Sequence, residues 1–136
     1  MLSEPDKAQF ERDGYLMVSA LVSDGVRESL LKEVDLWVTE SCNHSANYGF
    51  DTPDGKARFD LEHGHSAIEP RLRRVANPVD ISQPYEALLF EGVVPEVVAD
   101  LIGPNVFFHH CKLNNKFPGM TARVEYHADH PFDPHT

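Results

Sequence analysis

Apolar side chains recur at helical spacing most clearly after Ser23, where Val26, Leu30, Val34, Trp37 and Val38 make one stripe while Lys32, Glu33 and Glu40 face away from it. The pattern predicts an amphipathic helix from Ser23 to about Thr39, packed on the core. Ahead of it, Ser3 and Asp6 form a capping pair and Gly14 offers a left-handed stop after Phe10-Glu11-Arg12-Asp13, so a short helix is expected there. Tyr15-Leu16-Met17-Val18 then reads as a short strand. Further on, Ser82-Gln83-Pro84 opens a helical region with Ser82 as cap and Tyr85, Leu88 and Leu89 as its apolar face. Pro95, at a first-turn position, begins another helix through Val97, Val98 and Leu101 that Gly103-Pro104 closes. The run from Asn105 to Lys116 is rich in Val, Phe and Leu and is ended by Pro118-Gly119. It reads as a strand and a turn, followed by a second strand through Thr121–His127.

Between these elements the periodicity dissolves. From Ser41 to about Ile68 the chain turns to Asn, Gly, His and charged residues, with a turn signal at Pro53-Asp54-Gly55, so residues 41–68 are expected to form a long loop or insertion. His44, His63 and His65 read there as polar loop residues rather than ligands. Arg71, Arg73 and Arg74 make the one basic cluster. Arg71 and Arg73 suit a solvated charged edge, although a buried Arg is also how proteins grip carboxylates by paired hydrogen bonds. Helices followed by strands place the chain in the α+β class.

Composition narrows the function. A chain of 136 residues with 41% hydrophobic content reads as one domain, 1–136, with a core. Its net charge of −10 argues against a nucleic-acid or anionic-membrane partner, since both need a basic face. Cys42 and Cys111 form no metal-type pair and imply no disulfide framework. The opening residues lack the basic and apolar regions of a secretion signal, and the expectation is a cytoplasmic enzyme acting on a small molecule.

The chemistry concentrates at Val124-Glu125-Tyr126-His127-Ala128-Asp129. Eight His and eleven Asp in this chain produce about 0.65 chance occurrences of His-x-Asp, so the tripeptide means little without context. Its context is an extended segment, in which residues i and i+2 project to one side. His127 and Asp129 would then converge on one point, and a neutral imidazole beside a carboxylate suits a divalent metal such as Fe(II).

Several separated pieces, in this order and at these intervals, resemble the phytanoyl-CoA dioxygenase family of Fe(II)- and 2-oxoglutarate-dependent oxygenases. They are Phe10-Glu11-Arg12-Asp13-Gly14-Tyr15, Arg74-Val75-Ala76-Asn77, Leu101-Ile102-Gly103-Pro104-Asn105, Asn115-Lys116-Phe117-Pro118-Gly119 and Tyr126-His127-Ala128-Asp129. The likeness runs from Phe10 to the last residue and corresponds to roughly the first half of a family member.

That resemblance implies a double-stranded β-helix, or jelly roll, present as its opening strands with helices packed outside. It implies Fe(II), 2-oxoglutarate as cosubstrate and dioxygen, with His127 and Asp129 as metal ligands. It also sets Arg74 near a basic residue that contacts 2-oxoglutarate and puts Lys112 and Asn114 on the strand lining that pocket. Where the family commonly has Trp-His-Gln-Asp, this chain has Tyr126-His127-Ala128-Asp129, which keeps both ligand types. The family's distal His and its 2-oxoglutarate-binding Arg would belong to a C-terminal half, the expected partner of this one. The alternative is a truncated, non-catalytic relative that binds metal weakly or works only with another chain. A zinc module ranks below both, because no Cys pair or His-Glu-x-x-His supplies a full ligand set.

Overall fold

The Ser3 hydroxyl accepts from the Asp6 amide and the Asp6 carboxylate answers on the Ser3 amide, a reciprocal cap that starts α1 (Glu4–Asp13). Gly14 ends that helix in the left-handed region at φ 76°, its amide returning to Phe10. Ser23 caps α2 (Asp24–Ser41) through the Val26 amide. The computed structural model describes residues 2–120, 123 and 125–127. The remaining described elements are β1 (Phe59–Leu61), β2 (Leu72–Ala76), a 3-10 turn (Pro78–Asp80), α3 (Gln83–Phe90), α4 (Val93–Ile102) and β3 (Lys112–Asn114). The fold is therefore α+β. No helix among the described residues is long and apolar enough to cross a membrane.

The three strands form one antiparallel sheet in the order β1-β2-β3. Phe59 pairs with Val75 and Val75 with Leu113, while one step along Asp60 pairs with Arg74 and Arg74 with Asn114. Because side chains alternate across a sheet, these two rows serve opposite faces. Phe59, Val75 and Leu113 join the core with Trp37 and Leu72, and Leu72 and Val75 have no exposed surface. Trp37 brings α2 onto this face, edge-on to Phe59 at 6.4 Å and tilted against Tyr85 of α3 at 5.4 Å. Tyr48 stacks on Phe59, with ring centroids 4.5 Å apart.

Several expectations need correction. Tyr15–Val18 is not a strand; Tyr15 and Met17 are exposed, and no described strand runs beside them to complete a ladder. Residues 41–68 are not all loop, since β1 lies there and Tyr48 bridges to Phe59. The expected strand from Asn105 narrows to Lys112–Asn114, where pairing with β2 exists. Of the expected strand at Thr121–His127, the described residues 123 and 125–127 are not in a strand, and the others lie outside the described residues. Ser82 sits at the expected cap, but its hydroxyl makes no cap bond; the Ser82 carbonyl instead accepts from Glu86. Arg71 and Arg73 are not a free charged edge. Arg71 donates to Glu69 at 2.6 Å, and Arg73, inside β2, pairs with the buried Asp60.

Candidate functional site

The core-facing row leaves the other face of the sheet to polar residues. Arg74 on β2 lies between Asp60 and Asn114, and Ala76, two residues on, lies beside Lys112. Arg74 Nη2 donates to Asp60 Oδ2 at 2.9 Å, and its Nε is buried without a hydrogen-bond partner among the described residues. Asp60 is itself buried and receives Arg73 as well, so one carboxylate orients two guanidinium groups.

The strand ends are set by polar contacts. Asn77 adopts the left-handed conformation at φ 44°, which Asn tolerates better than most side chains. Its amide donates to the Cys111 carbonyl at 2.9 Å and its side-chain oxygen accepts from the Cys111 amide at 3.0 Å, locking β3 in register. Arg58 is 3% exposed and donates to the Ala76 and Asn77 carbonyls and to Asp80, at 3.0–3.1 Å. This buried cation ties the β1 entry to the β2 exit.

Above the polar face opens a cavity of about 910 Å³. One wall is the sheet, through Arg74, Ala76, Lys112 and Asn114. A second comes from Thr52–Ala57, and a third from Asn77 with His109–Cys111; His127 also borders the space. The Thr52–Lys56 turn closes on itself: Thr52 Oγ1 donates to the Lys56 carbonyl at 2.5 Å, and Asp54 accepts from the Lys56 amide at 3.1 Å. Lys56 Nζ pairs with the same Asp54 at 3.3 Å. The His109 and His110 rings are in contact through their Nδ1 atoms, with centroids 4.5 Å apart. Burial pushes the Cys111 thiol above its ordinary pKa, and Asp80 adds to the effect, so the thiol enters the cavity wall neutral near pH 7.

His127 Nδ1 lies 2.6 Å from the Glu125 carbonyl oxygen, an atom that can only accept. In the neutral imidazole this puts the proton on Nδ1 and the lone pair on Nε2, the arrangement metal-ligating histidines adopt when a backbone carbonyl orients them. Among the described residues no three His, Cys, Asp or Glu side chains converge as a metal site would require. Asp129 lies outside the described residues.

Of the five residues singled out from the sequence, Arg74, Lys112, Asn114 and His127 border one cavity although they come from separated segments. Lys56, Asn77, His109 and His110 border it too and were not singled out. The Pro53-Asp54-Gly55 turn and the His109-His110 doublet were the legible signals for three of them. His65 instead braces the chain locally, with Nε2 donating to the Ser41 carbonyl at 2.9 Å and Nδ1 accepting from the Arg71 amide at 2.8 Å. Both cysteines are unbridged.

The chain is 24% identical over 139 residues to a probable alpha-ketoglutarate-dependent hypophosphite dioxygenase of Stutzerimonas stutzeri. The match covers all of this chain and 44% of that protein. No family model matches the chain, and no solved structure does.

Proposed function

We propose that the chain carries the N-terminal part of an Fe(II)- and 2-oxoglutarate-dependent dioxygenase of the phytanoyl-CoA dioxygenase type, built on a jelly roll and hydroxylating a small organic molecule. The observation that carries this reading is the cavity on the polar sheet face, bordered together by His127, Arg74, Lys112 and Asn114. The relative, alpha-ketoglutarate-dependent by its name, supports the 2-oxoglutarate-dependent dioxygenase part of this reading from a separate direction. So does the donor chemistry. The imidazole of His127 turns its lone pair to Nε2, and Arg74 and Lys112 place two cations on the sheet wall of the same cavity, which fits a metal ion and a dicarboxylate in one space.

When bound, Fe(II) with 2-oxoglutarate and dioxygen supplies oxidative decarboxylation to succinate coupled to hydroxylation of a C–H bond. The chain's own residues do the rest. In this reading His127 and Asp129 would hold the metal, while Arg74 and Lys112 would offset cosubstrate charge and Asn114 would add a hydrogen-bonding amide. Asp60 keeps the Arg74 guanidinium in place, as a supporting partner does for a ligand-binding group. The third metal ligand and the cation for the far carboxylate belong in this reading to a C-terminal half, the partner that completes the site.

Anaerobic addition of Fe(II) and 2-oxoglutarate to the chain tests the reading directly. A weak metal-to-ligand charge-transfer absorption is expected, and it should vanish in His127→Ala. No absorption, together with no binding of 2-oxoglutarate by titration calorimetry, would reject it.

A further inference from the structure

The cavity has the opposite charge to the chain that encloses it. Among the described residues its walls carry Lys56, Arg74 and Lys112 against one carboxylate, Asp54, a formal +2 in a molecule of net −10. Three imidazoles, from His109, His110 and His127, add ring nitrogens that can hydrogen-bond. Such concentration of positive charge in a concave space on an acidic protein attracts anions locally while the rest of the surface repels them.

These groups do not form one set. Arg74 and Lys112 stand on the sheet, the wall given above to the cosubstrate. Lys56 stands on the Thr52–Lys56 turn, and His109 and His110 precede β3; none of the three belongs to the cosubstrate wall. The turn is internally tied through Thr52 and Asp54, so Lys56 is presented from a fixed backbone, with its side chain 83% exposed. His109 and His110 touch each other across Nδ1, which couples their ring orientations.

We infer that Lys56 with the His109–His110 pair forms a second anion subsite in this cavity, distinct from the cosubstrate wall, and that it holds a compact oxyanion group of the substrate. The assignment of that oxyanion to a substrate rests on the oxygenase reading; the binding of an anion at Lys56 does not. A substrate anchored there presents its remaining atoms across the space toward His127 while the sheet wall keeps its own anion. Two negative ligands would then meet separate cations, where one shared cation would force them to compete.

Inorganic phosphite is a suitable probe, titrated into the full chain with and without saturating 2-oxoglutarate and followed by calorimetry. Saturable phosphite binding is expected in both conditions. Lys56→Ala should weaken it about tenfold, the loss of one charge-assisted contact, and leave 2-oxoglutarate affinity unchanged. His109→Ala should act in the same direction. Far-ultraviolet circular dichroism of each variant confirms that the fold is retained, and the exposure of Lys56 makes its truncation benign for folding. Absence of phosphite binding, indifference to Lys56→Ala, or full displacement of phosphite by 2-oxoglutarate would each overturn the subsite. Loss of 2-oxoglutarate binding with Lys56-dependent phosphite binding intact would instead reject the oxygenase reading and leave the anion site standing.

Discussion

Asp60 on β1 faces Arg74 on β2, the carboxylate 2.9 Å from Nη2, and the same oxygen also holds Arg73. A single buried carboxylate thus pairs with two half-exposed cations, of which Arg74 borders the cavity. Removing it leaves both guanidinium groups without their partner and one of them next to the anion-binding space.

Asp60→Ala should therefore lower stability by about 1–3 kcal/mol, less than a fully buried pair would lose because both arginines keep solvent contact. Asp60→Asn should lose less, since the amide oxygen still accepts. Both variants should bind 2-oxoglutarate several-fold more weakly, because Arg74 loses the carboxylate that orients its guanidinium. Urea denaturation and calorimetry on the same samples check the two signs together; unchanged stability would contradict the assigned role.

Arg58 has a different kind of partnership. Its guanidinium, almost fully buried, donates to two carbonyls and to Asp80, and Asp51 lies 3.5 Å away. Arg58→Ala should destabilise by about 3–5 kcal/mol, since those acceptors lose their donor inside the protein. Arg58→Lys, which keeps the charge but not the planar fork, should recover less than half of that in chemical denaturation.

Tyr48 is buried between His44 and Phe59, and its hydroxyl has no partner among the described residues. Burial first, and then the charges of Glu40 and Cys42, push its pKa well above the ordinary phenol range. A raised folded-state pKa favours the neutral form. The corresponding stability is fully present below the unfolded value of about 10 and is lost as pH rises through the folded one. Ultraviolet titration of the phenolate should show a late, unfolding-linked phase that Tyr48→Phe removes. That substitution should leave neutral-pH stability within about 1 kcal/mol of the parent or raise it, because it deletes a desolvated hydroxyl that bonds to nothing among the described residues.

Lys112 and Asn114 sit on β3 with their side chains on the exposed, polar face while Leu113 between them packs on the core. Lys112→Ala should weaken 2-oxoglutarate binding by about tenfold with little change in melting temperature. Leu113→Ala should do the reverse, costing about 2–4 kcal/mol in stability through the core, with the binding change following from loss of the fold. Thermal melts beside calorimetry separate the two. Equal effects of both substitutions on both readouts would mean that the alternation does not divide core from site.

What was legible in the linear chain was local. The Ser3–Asp6 cap, the Gly14 stop, the Ser23 cap and the Val34–Trp37–Val38 stripe each act within one or two helical turns, so neighbours in sequence are the groups that meet. The residues bordering the cavity were named in part for the same reason, through short motifs around Arg74 and His127. What the sequence could not disclose was how the sheet pairs. β1 is three residues long, too short for a periodic signal, and β3 showed only as part of the longer run from Asn105; both become defined strands through partners far along the chain, as Phe59 does with Val75 and Leu113 with Val75. β2 was hidden by Arg73 and Arg74, whose charges look like solvent-facing residues until Asp60, fourteen residues before Arg74, is brought to them. The joining of Lys56, His109 and His110 to the His127 cavity is likewise tertiary. Their convergence depends on the buried Arg58 clasp and the left-handed Asn77, contacts that span 18–34 residues and exist only once the chain has closed. The helices and the kinds of chemical group available were thus set by local sequence, whereas the charge-inverted cavity arose from long-range pairing that put one row of the sheet in the core and the next in solvent.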